Sequence, residues 1–499
     1  MQLFDALDVS DRSTLRADLC IVGGGPAGIT LAMALADSGL EVIVLESGGL
    51  RVGSTTQALN SGRQIGIDTW KLEDWRLRAL GGTSGHWSGF CRPLGPEDFT
   101  ARNWVSGSGW PIDFDTLRPY YERAHVTCEV GDFDYDAKRM SEKLELPLLT
   151  DDDSVIEHRF YRLSPPTRFG TRYKDALEQA DGLRVYLNGT LVELELERDL
   201  NRVARLRCAT LEGGGFSIEA ERYVLALGGL ENPRLLLSSS SQLAAGIANT
   251  SGLVGRRFME HPHYLRSATI AWQGSPDLDF FRSRYGLLTE LEGSDKIGLL
   301  GAIGLRPEVR ASEGLHNLTM GLIVNDTPKT TDTQDVSVAD ASALLGRASD
   351  AVHVARVSCR CEQAPNPDSR LRLSQERDAL GVPRIELDWR VSEHDERSVY
   401  RALSLLGCEL GRLGLGRIWI PSEHGAIDWK ISPGGHHMGT TRMGDDPERS
   451  VVDANLRCHD HENLYIAGAS VFVTGGDANP TLTLVALAHR LADHLRGDA

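Results

Sequence analysis

Between residues 17 and 49 the chain reads "ADLCIVGGGPAGITLAMALADSGLEVIVLESGG", and few folds tolerate that order of residue types. An apolar run at 19–22 has the character of a buried parallel strand. Gly23, Gly25 and Gly28 follow in Gly-x-Gly-x-x-Gly spacing, and residues 26–38 have the pattern of a helix. A second apolar run at 42–45 ends on Glu46. In a strand–turn–helix–strand unit the first glycine permits the tight turn and the second admits a pyrophosphate. The third lets helix pack on strand, and the helix N-terminus offers unpaired N–H groups to phosphate. Glu46 stands where a carboxylate can accept hydrogen bonds from a ribose. These residues predict a dinucleotide site and leave open whether it takes NAD or FAD.

Two later segments belong to the same unit. "LVELELERDLNRVARLRCATLEGGGFSIEAERYVLALGG" alternates apolar and polar residues and predicts a meander of short strands. It returns to an apolar strand at 223–227 that ends on Gly228-Gly229, with "ENPRLLLSS" as a loop opening a helix. Near the C-terminus "NLYIAGAS" predicts a strand and Gly/Ala turn, and "NPTLTLVALAHRLADHL" a helix. Between them, "LRSATIAWQG", "HNLTMGLIV", "HVARVSCRCE", "SRLRLSQ" and "RIELDWRV" suggest one broad antiparallel sheet, with an amphipathic helix in "EHDERSVYRALSLLGCELGRLG". "DTPKTTDTQDVSVADASALLG" is expected to be a mobile surface loop. The expected fold is α/β: a discontinuous Rossmann-like nucleotide domain (1–125, 181–260 and 431–499) with an inserted substrate domain (126–180 and 261–430) built on a large antiparallel sheet.

Composition narrows the partners. The 53 basic and 70 acidic residues give a net charge of −17, which makes nucleic acid a poor partner and leaves room for a cationic ligand. The eight cysteines form no Cys-x-x-Cys pair, so neither a zinc ribbon nor a dense disulfide framework is indicated. The acidic, polar N-terminus lacks the pattern of a secretory signal, and no apolar run approaches the roughly 20 residues that cross a bilayer. A soluble, cytoplasmic protein is expected.

Four separated segments then carry a resemblance: "GGGPAGITLAMALADSGLEVIVLESGG", "RALGGTSGHWSG", "VLALGGLENPRLLLSS", and "HHMGTTRMG" with the stretch running on to "GGDANPTLTLVALAHRLADHL". Together they resemble the glucose-methanol-choline (GMC) family of flavin oxidoreductases, and within it the pyranose-oxidase-like and bacterial sugar-oxidising members. The resemblance implies FAD as cofactor. It implies that Gly82, Thr83, His86 and Trp87 lie against the flavin, with His86 where some relatives tether FAD covalently. It implies further cofactor contacts from Leu191, Gly228, Gly468, Ala469, Asn479, Pro480 and Thr481.

The resemblance also implies a catalytic pair. His436 of "GGHHMGTTRMG" matches the family's catalytic histidine, and Asn479 of "DANPTLT" matches its partner. Alcohol oxidation needs a group to take the hydroxyl proton, and a neutral imidazole suits that task near neutral pH. His437 departs from the family pattern. Adjacent side chains on an extended loop point in opposite directions, so His437 is expected to play a structural or supporting part. His459 and His461 add a "HDH" nearby, but no Cys or Glu completes a zinc spacing and no metal is expected. His261 in "RFMEHPH" is read as a packing residue, and Trp87, Trp104 and Trp110 as a loop over the flavin or as core. The expected activity is oxidation of an alcohol on a small-molecule sugar or aminosugar, including the primary hydroxyl of an aminoglycoside precursor. The alternatives are oxidation of a ring hydroxyl of a neutral glycoside and a non-redox FAD-containing lyase. Oxygen or another electron acceptor is left open.

Overall fold

The computed structural model describes residues 2–68, 70–283, 288, 297–323, 338–346, 352–421 and 430–497. Two eight-stranded sheets organise it. In the first, the strands Leu3–Asp5, Leu183–Leu187, Val42–Leu45, Thr14–Val22 and Gly215–Leu225 run parallel side by side. Gly215–Leu225 serves two neighbours along one edge. Its first half pairs antiparallel with Val203–Ala209, which pairs in turn with Thr190–Leu196. Its second half pairs parallel with Leu464–Ile466. The central strands are buried on both faces, which is why their sequences are apolar runs rather than alternations. The helix Pro480–Arg496 packs against the helices Pro26–Leu35 and Phe114–Cys128.

The glycine motif behaves as its spacing predicts. Gly23 has φ +109°, and a Cβ there would lie 2.6 Å from the carbonyl oxygen of Ala226. A Cβ on Gly28 would fall 1.9 Å from the carbonyl oxygen of Gly23, so the helix can sit on the turn only with glycine at that position. The helix ends at Leu35, three residues before the expected end. There the Ser38 hydroxyl donates to the Leu35 carbonyl at 2.6 Å and closes the last turn. The strand expected to reach 227 ends at Leu225, and the helix Gly228–Ser238 starts at the glycine pair that was expected to end the strand, so the segment expected to be a loop, "ENPRLLLSS", is already helical through Ser238.

The second sheet is antiparallel throughout its registered pairs. Its order is Gly416–Trp419, Pro262–Gln273, Val352–Cys361, Leu318–Ile323, Gly298–Leu305, Ile156–Leu163 and Phe90–Cys91, with Ile431–Pro433 also on Pro262–Gln273. The helix Glu393–Arg412 begins at a capping box of Ser392 and Asp395. It lays Val399, Ala402, Leu403, Leu406 and Leu410 into the core beneath this sheet.

The expectation of one broad sheet needs correction here. Arg370–Arg377 and Pro383–Asp388 pair with each other and, through the latter, with Gly62–Gln64 in a separate three-stranded sheet. Leu371, Ile385 and Leu387 bury against Leu230 and Phe258 there, so the apolar face of this pair serves the first helix layer and not the large antiparallel sheet. Most of the expected surface loop, 326–337, lies outside the described residues, while Val338–Leu345 is helical. No helix among the described residues is long and apolar enough to cross a membrane.

Candidate active site

A cavity of about 480 Å³ opens where the C-terminal ends of the parallel strands face the second sheet. Three helix N-termini reach it: Pro26–Leu35, Gly228–Ser238 and Pro480–Arg496. None has a side-chain cap, so their first N–H groups remain available to a ligand.

Glycines leave room beside the cavity. A Cβ on Gly25 or Gly228 would meet nothing within 4 Å, and Gly468 would meet only Gly228 at 3.9 Å. Gly82 packs on Gly25, and the turn Gly82–Gly85 with Thr83, His86 and Trp87 forms one wall. Arg168 holds that turn by donating to the carbonyls of Ser84 at 2.9 Å and Trp87 at 2.7 Å. Glu46 closes another end, 6% exposed, accepting from the N–H of Gly24 at 2.7 Å and of Gly48 at 2.8 Å. Ala469, Pro480 and Thr481 also line the cavity. Leu191 does not; it is buried in the core of the first sheet. Gly28 contributes packing rather than lining.

These residues fit FAD. Uncapped helix ends suit a pyrophosphate, Glu46 suits a ribose, and the open glycine walls admit a flat ring.

At the end of the cavity nearest the second sheet, His436 and Asn479 come together. The Nδ2 of Asn479 lies 3.0 Å from Nε2 of His436, and the Asn479 Oδ1 is buried without a hydrogen-bond partner among the described residues. His436 Nδ1 lies 2.8 Å from Nδ1 of His261. On the far side of its ring, His261 Nε2 faces the carbonyl oxygens of Gly475 at 3.2 Å and Gly476 at 2.9 Å.

Donor arithmetic then orders the protons. His261 Nε2 faces two acceptors and must carry a proton, so in a neutral ring its Nδ1 is bare. His436 Nδ1 must donate to it, which leaves the lone pair of His436 on Nε2, where the Asn479 amide donates to it. Burial holds both histidines below their usual pKa, His436 far below, with His261, His263 and Arg360 adding repulsion to His436. Both rings are therefore neutral near pH 7.

Glu260 positions the loop. Its Oε2 accepts from the backbone N–H of His261 at 3.1 Å, Gly434 at 3.1 Å and His436 at 2.9 Å. Burial pushes its carboxyl up to about 8, partly offset by those three bonds. Adjacent His437 turns the other way, its Nε2 3.6 Å from Glu260 Oε1 and its ring 5.8 Å from that of Phe258. Burial lowers its pKa to about 3.

Sequence reading placed His261 as packing, whereas it is the hydrogen-bond partner of His436. Glu260, His263 and Arg360 were not singled out. The alternation in "EHPH" was the available signal, since residues two apart on a strand share a face.

Trp87 lines the cavity and donates to the Thr167 carbonyl at 2.8 Å. Trp104 and Trp110 do not line it; they bond to the Leu315 carbonyl at 2.9 Å and to Thr474 Oγ1 at 2.9 Å. His459 and His461 lie in a different part of the chain's packing. His459 bonds Ser450 at 2.9 Å, and His461 joins the N–H of Ala248 at 3.1 Å to the carbonyl of Leu200 at 3.2 Å.

Comparison with known proteins finds flavoenzyme relatives. Residues 365–488 match the GMC oxidoreductase family, in its C-terminal region, and residues 18–247 match the FAD dependent oxidoreductase family. The fructose dehydrogenase large subunit of Gluconobacter japonicus is 25% identical over 98% of this chain and 99% of its own. The 6'''-hydroxyparomomycin C oxidase of Streptomyces lividus is 27% identical over 96% and 92%, and the paromamine 6'-oxidase of Streptomyces fradiae 25% over 96% and 91%. The crystal structure of pyridoxine 4-oxidase from Mesorbium loti shares the fold, with a TM-score of 0.59 and 19% identity over 96% of this chain and 98% of that one. The chain is thus similar to the GMC oxidoreductases in its C-terminal region and to the FAD dependent oxidoreductases over most of its first half, and it is an FAD-dependent oxidoreductase.

Proposed function

We propose that this enzyme oxidises a hydroxyl group of a sugar-type substrate, with His436 as the base and Asn479 as the group that orients the alcohol. The observation that carries this reading is the contact of Asn479 Nδ2 with His436 Nε2 at 3.0 Å in the wall of the cavity. FAD, when bound, supplies the acceptor for the hydride that leaves the carbinol carbon.

The chain's own residues handle the proton. His436 Nε2 takes it from the hydroxyl, and the resulting charge is shared through Nδ1–H with the bare Nδ1 of His261. Asn479 offers its amide to the alcohol oxygen, which holds the C–H bond toward the flavin face. The N-terminus of Pro480–Arg496 turns partial positive charge into the cavity, where it would stabilise negative charge on a reduced cofactor. His86, in the cavity wall, is proposed as the residue that tethers FAD where the attachment is covalent.

The three similar sequences named above act on fructose, 6'''-hydroxyparomomycin C and paromamine, which supports a sugar-type polyol as substrate. The primary hydroxyl of an aminoglycoside precursor and a ring hydroxyl of a glycoside both fall within it. The test is anaerobic mixing of the holoenzyme with a panel of neutral, cationic and anionic sugars while flavin absorbance is followed. Bleaching by at least one sugar, slowed about 10²-fold or more by His436→Ala with FAD retained, is the expected result. Conversion of substrate without bleaching would replace this reading with the lyase one. Unchanged bleaching in His436→Ala would remove His436 as base.

A further inference from the structure

Arg360 is a cation in this cavity that has no counter-charge among the described residues. It lies on the strand Val352–Cys361 directly opposite His263 on Pro262–Gln273, so both side chains leave the sheet on one face. Both line the cavity beside His436, and the rings of His263 and His436 are 6.0 Å apart. The Arg360 guanidinium sits over the rings of Phe90 at 5.0 Å and Tyr161 at 5.7 Å. Among the described residues it has no carboxylate and no hydrogen-bond acceptor.

The other charged groups of the cavity are committed elsewhere. Arg76 and Arg78 both pair with Glu231, at 3.2 and 2.7 Å, and Arg234 pairs with the same carboxylate at 2.8 Å. Glu46 faces the backbone of Gly24 and Gly48. A second polar atom beside Arg360 also waits for a partner. His263 Nε2 is buried and unbonded among the described residues, and burial with Arg360 alongside lowers that ring's pKa to about 3, so it is neutral.

A half-buried cation packed over two neighbouring aromatic rings keeps only part of its hydration, and an anion brought from outside is the partner its fork is shaped to gain. The planar guanidinium presents a fork that matches a carboxylate, and a neutral imidazole can add an N–H donor. We infer that the site selects an alcohol that carries a carboxylate, a sugar acid, held by Arg360 and His263 while His436 faces its hydroxyl. This narrows the substrate class and rests on the sugar-oxidation reading. It also sets the cavity against polycationic aminosugars, whose ammonium groups would meet Arg360 without a carboxylate to offset it.

The experiment compares kcat/KM of the holoenzyme for D-gluconate and D-glucuronate with that for their neutral counterparts D-glucitol and D-glucose, and for D-glucosamine. The acids are expected to exceed their neutral counterparts by about 30-fold or more, mainly through KM, with the advantage shrinking as salt is raised. Arg360→Met brings the acid-to-neutral ratio toward one, and Arg360→Lys keeps part of it, as a point charge without the fork. Should the Met variant fail to fold, the native ratio and its salt dependence still decide. Bleaching by neutral or cationic sugars with no advantage for the acids would overturn the anion selection alone. An acid preference untouched in Arg360→Met would reassign Arg360 to the cofactor. Failure of every sugar to bleach the flavin would bring down both readings.

Discussion

His261 and His436 meet through their Nδ1 atoms at 2.8 Å, and the carbonyls of Gly475 and Gly476 behind the His261 ring decide which of the two donates. Because His261 spends its proton on those carbonyls, His436 must spend its own on His261. The lone pair of His436 is thereby left on Nε2, the nitrogen that contacts Asn479. Removing that acceptor frees the ring to adopt the wrong tautomer. His261→Leu is expected to slow flavin reduction about 10- to 100-fold, a part of the ~10²–10⁴ that a positioned base contributes. His261→Asn, which keeps an acceptor oxygen near the place of Nδ1, retains most of the rate. Stopped-flow reduction of the two variants across pH checks this.

Glu260 gives a pH dependence of defined sign. Its folded pKa is raised by burial to about 8, above the roughly 4.3 of a free glutamate. The folded state therefore binds the proton more tightly than the unfolded one. The stability this lends is full below about pH 4.3 and is lost as pH rises through about 8. Glu260→Gln, which keeps the acceptor oxygen for the three backbone donors, is expected to flatten the fall in melting temperature between pH 6 and 9. An equal fall in both proteins would show that Glu260 is not the titrating group.

Asp477 ties the loop of Asn479 to the second sheet. Its carboxylate pairs with Arg92 at 2.8 Å and with Arg159, and its backbone carbonyl accepts from the Tyr161 hydroxyl at 2.9 Å. The arginines hold the carboxyl well below its usual range even though burial opposes ionisation. Asp477→Asn leaves Arg92 without its ion pair and Arg159 with Glu157 alone. A loss of about 3–5 kcal/mol in unfolding free energy is expected from urea titration.

Gly25 separates cofactor binding from folding. Its backbone is extended, and a Cβ there meets no protein atom within 4 Å, so the chain itself tolerates a side chain. Gly25→Val is expected to give a protein with native circular dichroism that purifies colourless. A yellow Gly25→Val protein would place the pyrophosphate elsewhere.

His86 offers a direct readout. It lies in the wall of the cavity, and burial with Arg168 nearby lowers its pKa, so the imidazole is available as a neutral nucleophile. A covalent tether leaves the yellow colour in the acid-precipitated pellet and is abolished by His86→Ala. Colour in the supernatant alone would rule the tether out.

The features legible in sequence were those set by local sterics and periodicity. Gly23 and Gly28 are recognisable because each excludes a Cβ, Gly25 because it keeps the cavity wall open, and the short strand Val42–Leu45 because it is buried on both faces. The separate three-stranded sheet was not legible: Arg370–Arg377 and Pro383–Asp388 alternate as any half-buried pair does, and alternation does not say which core the apolar face meets. His261 was misread for the same reason. A histidine in "EHPH" looks the same whether it fills space or holds a proton.

The order of residues by itself determined a nucleotide-binding βαβ unit, because that rests on a local pattern, whereas FAD and the pairing of His436 with Asn479 were implied by the resemblance of four separated segments to the GMC family. Tertiary structure decided the rest. It brought His261 from 175 positions away to set the tautomer of His436, put Glu260 under the loop, and left Arg360 without a counter-charge among the described residues. Hydrogen-bond direction and charge balance depend on what lies across the cavity, and only the folded chain supplies those neighbours.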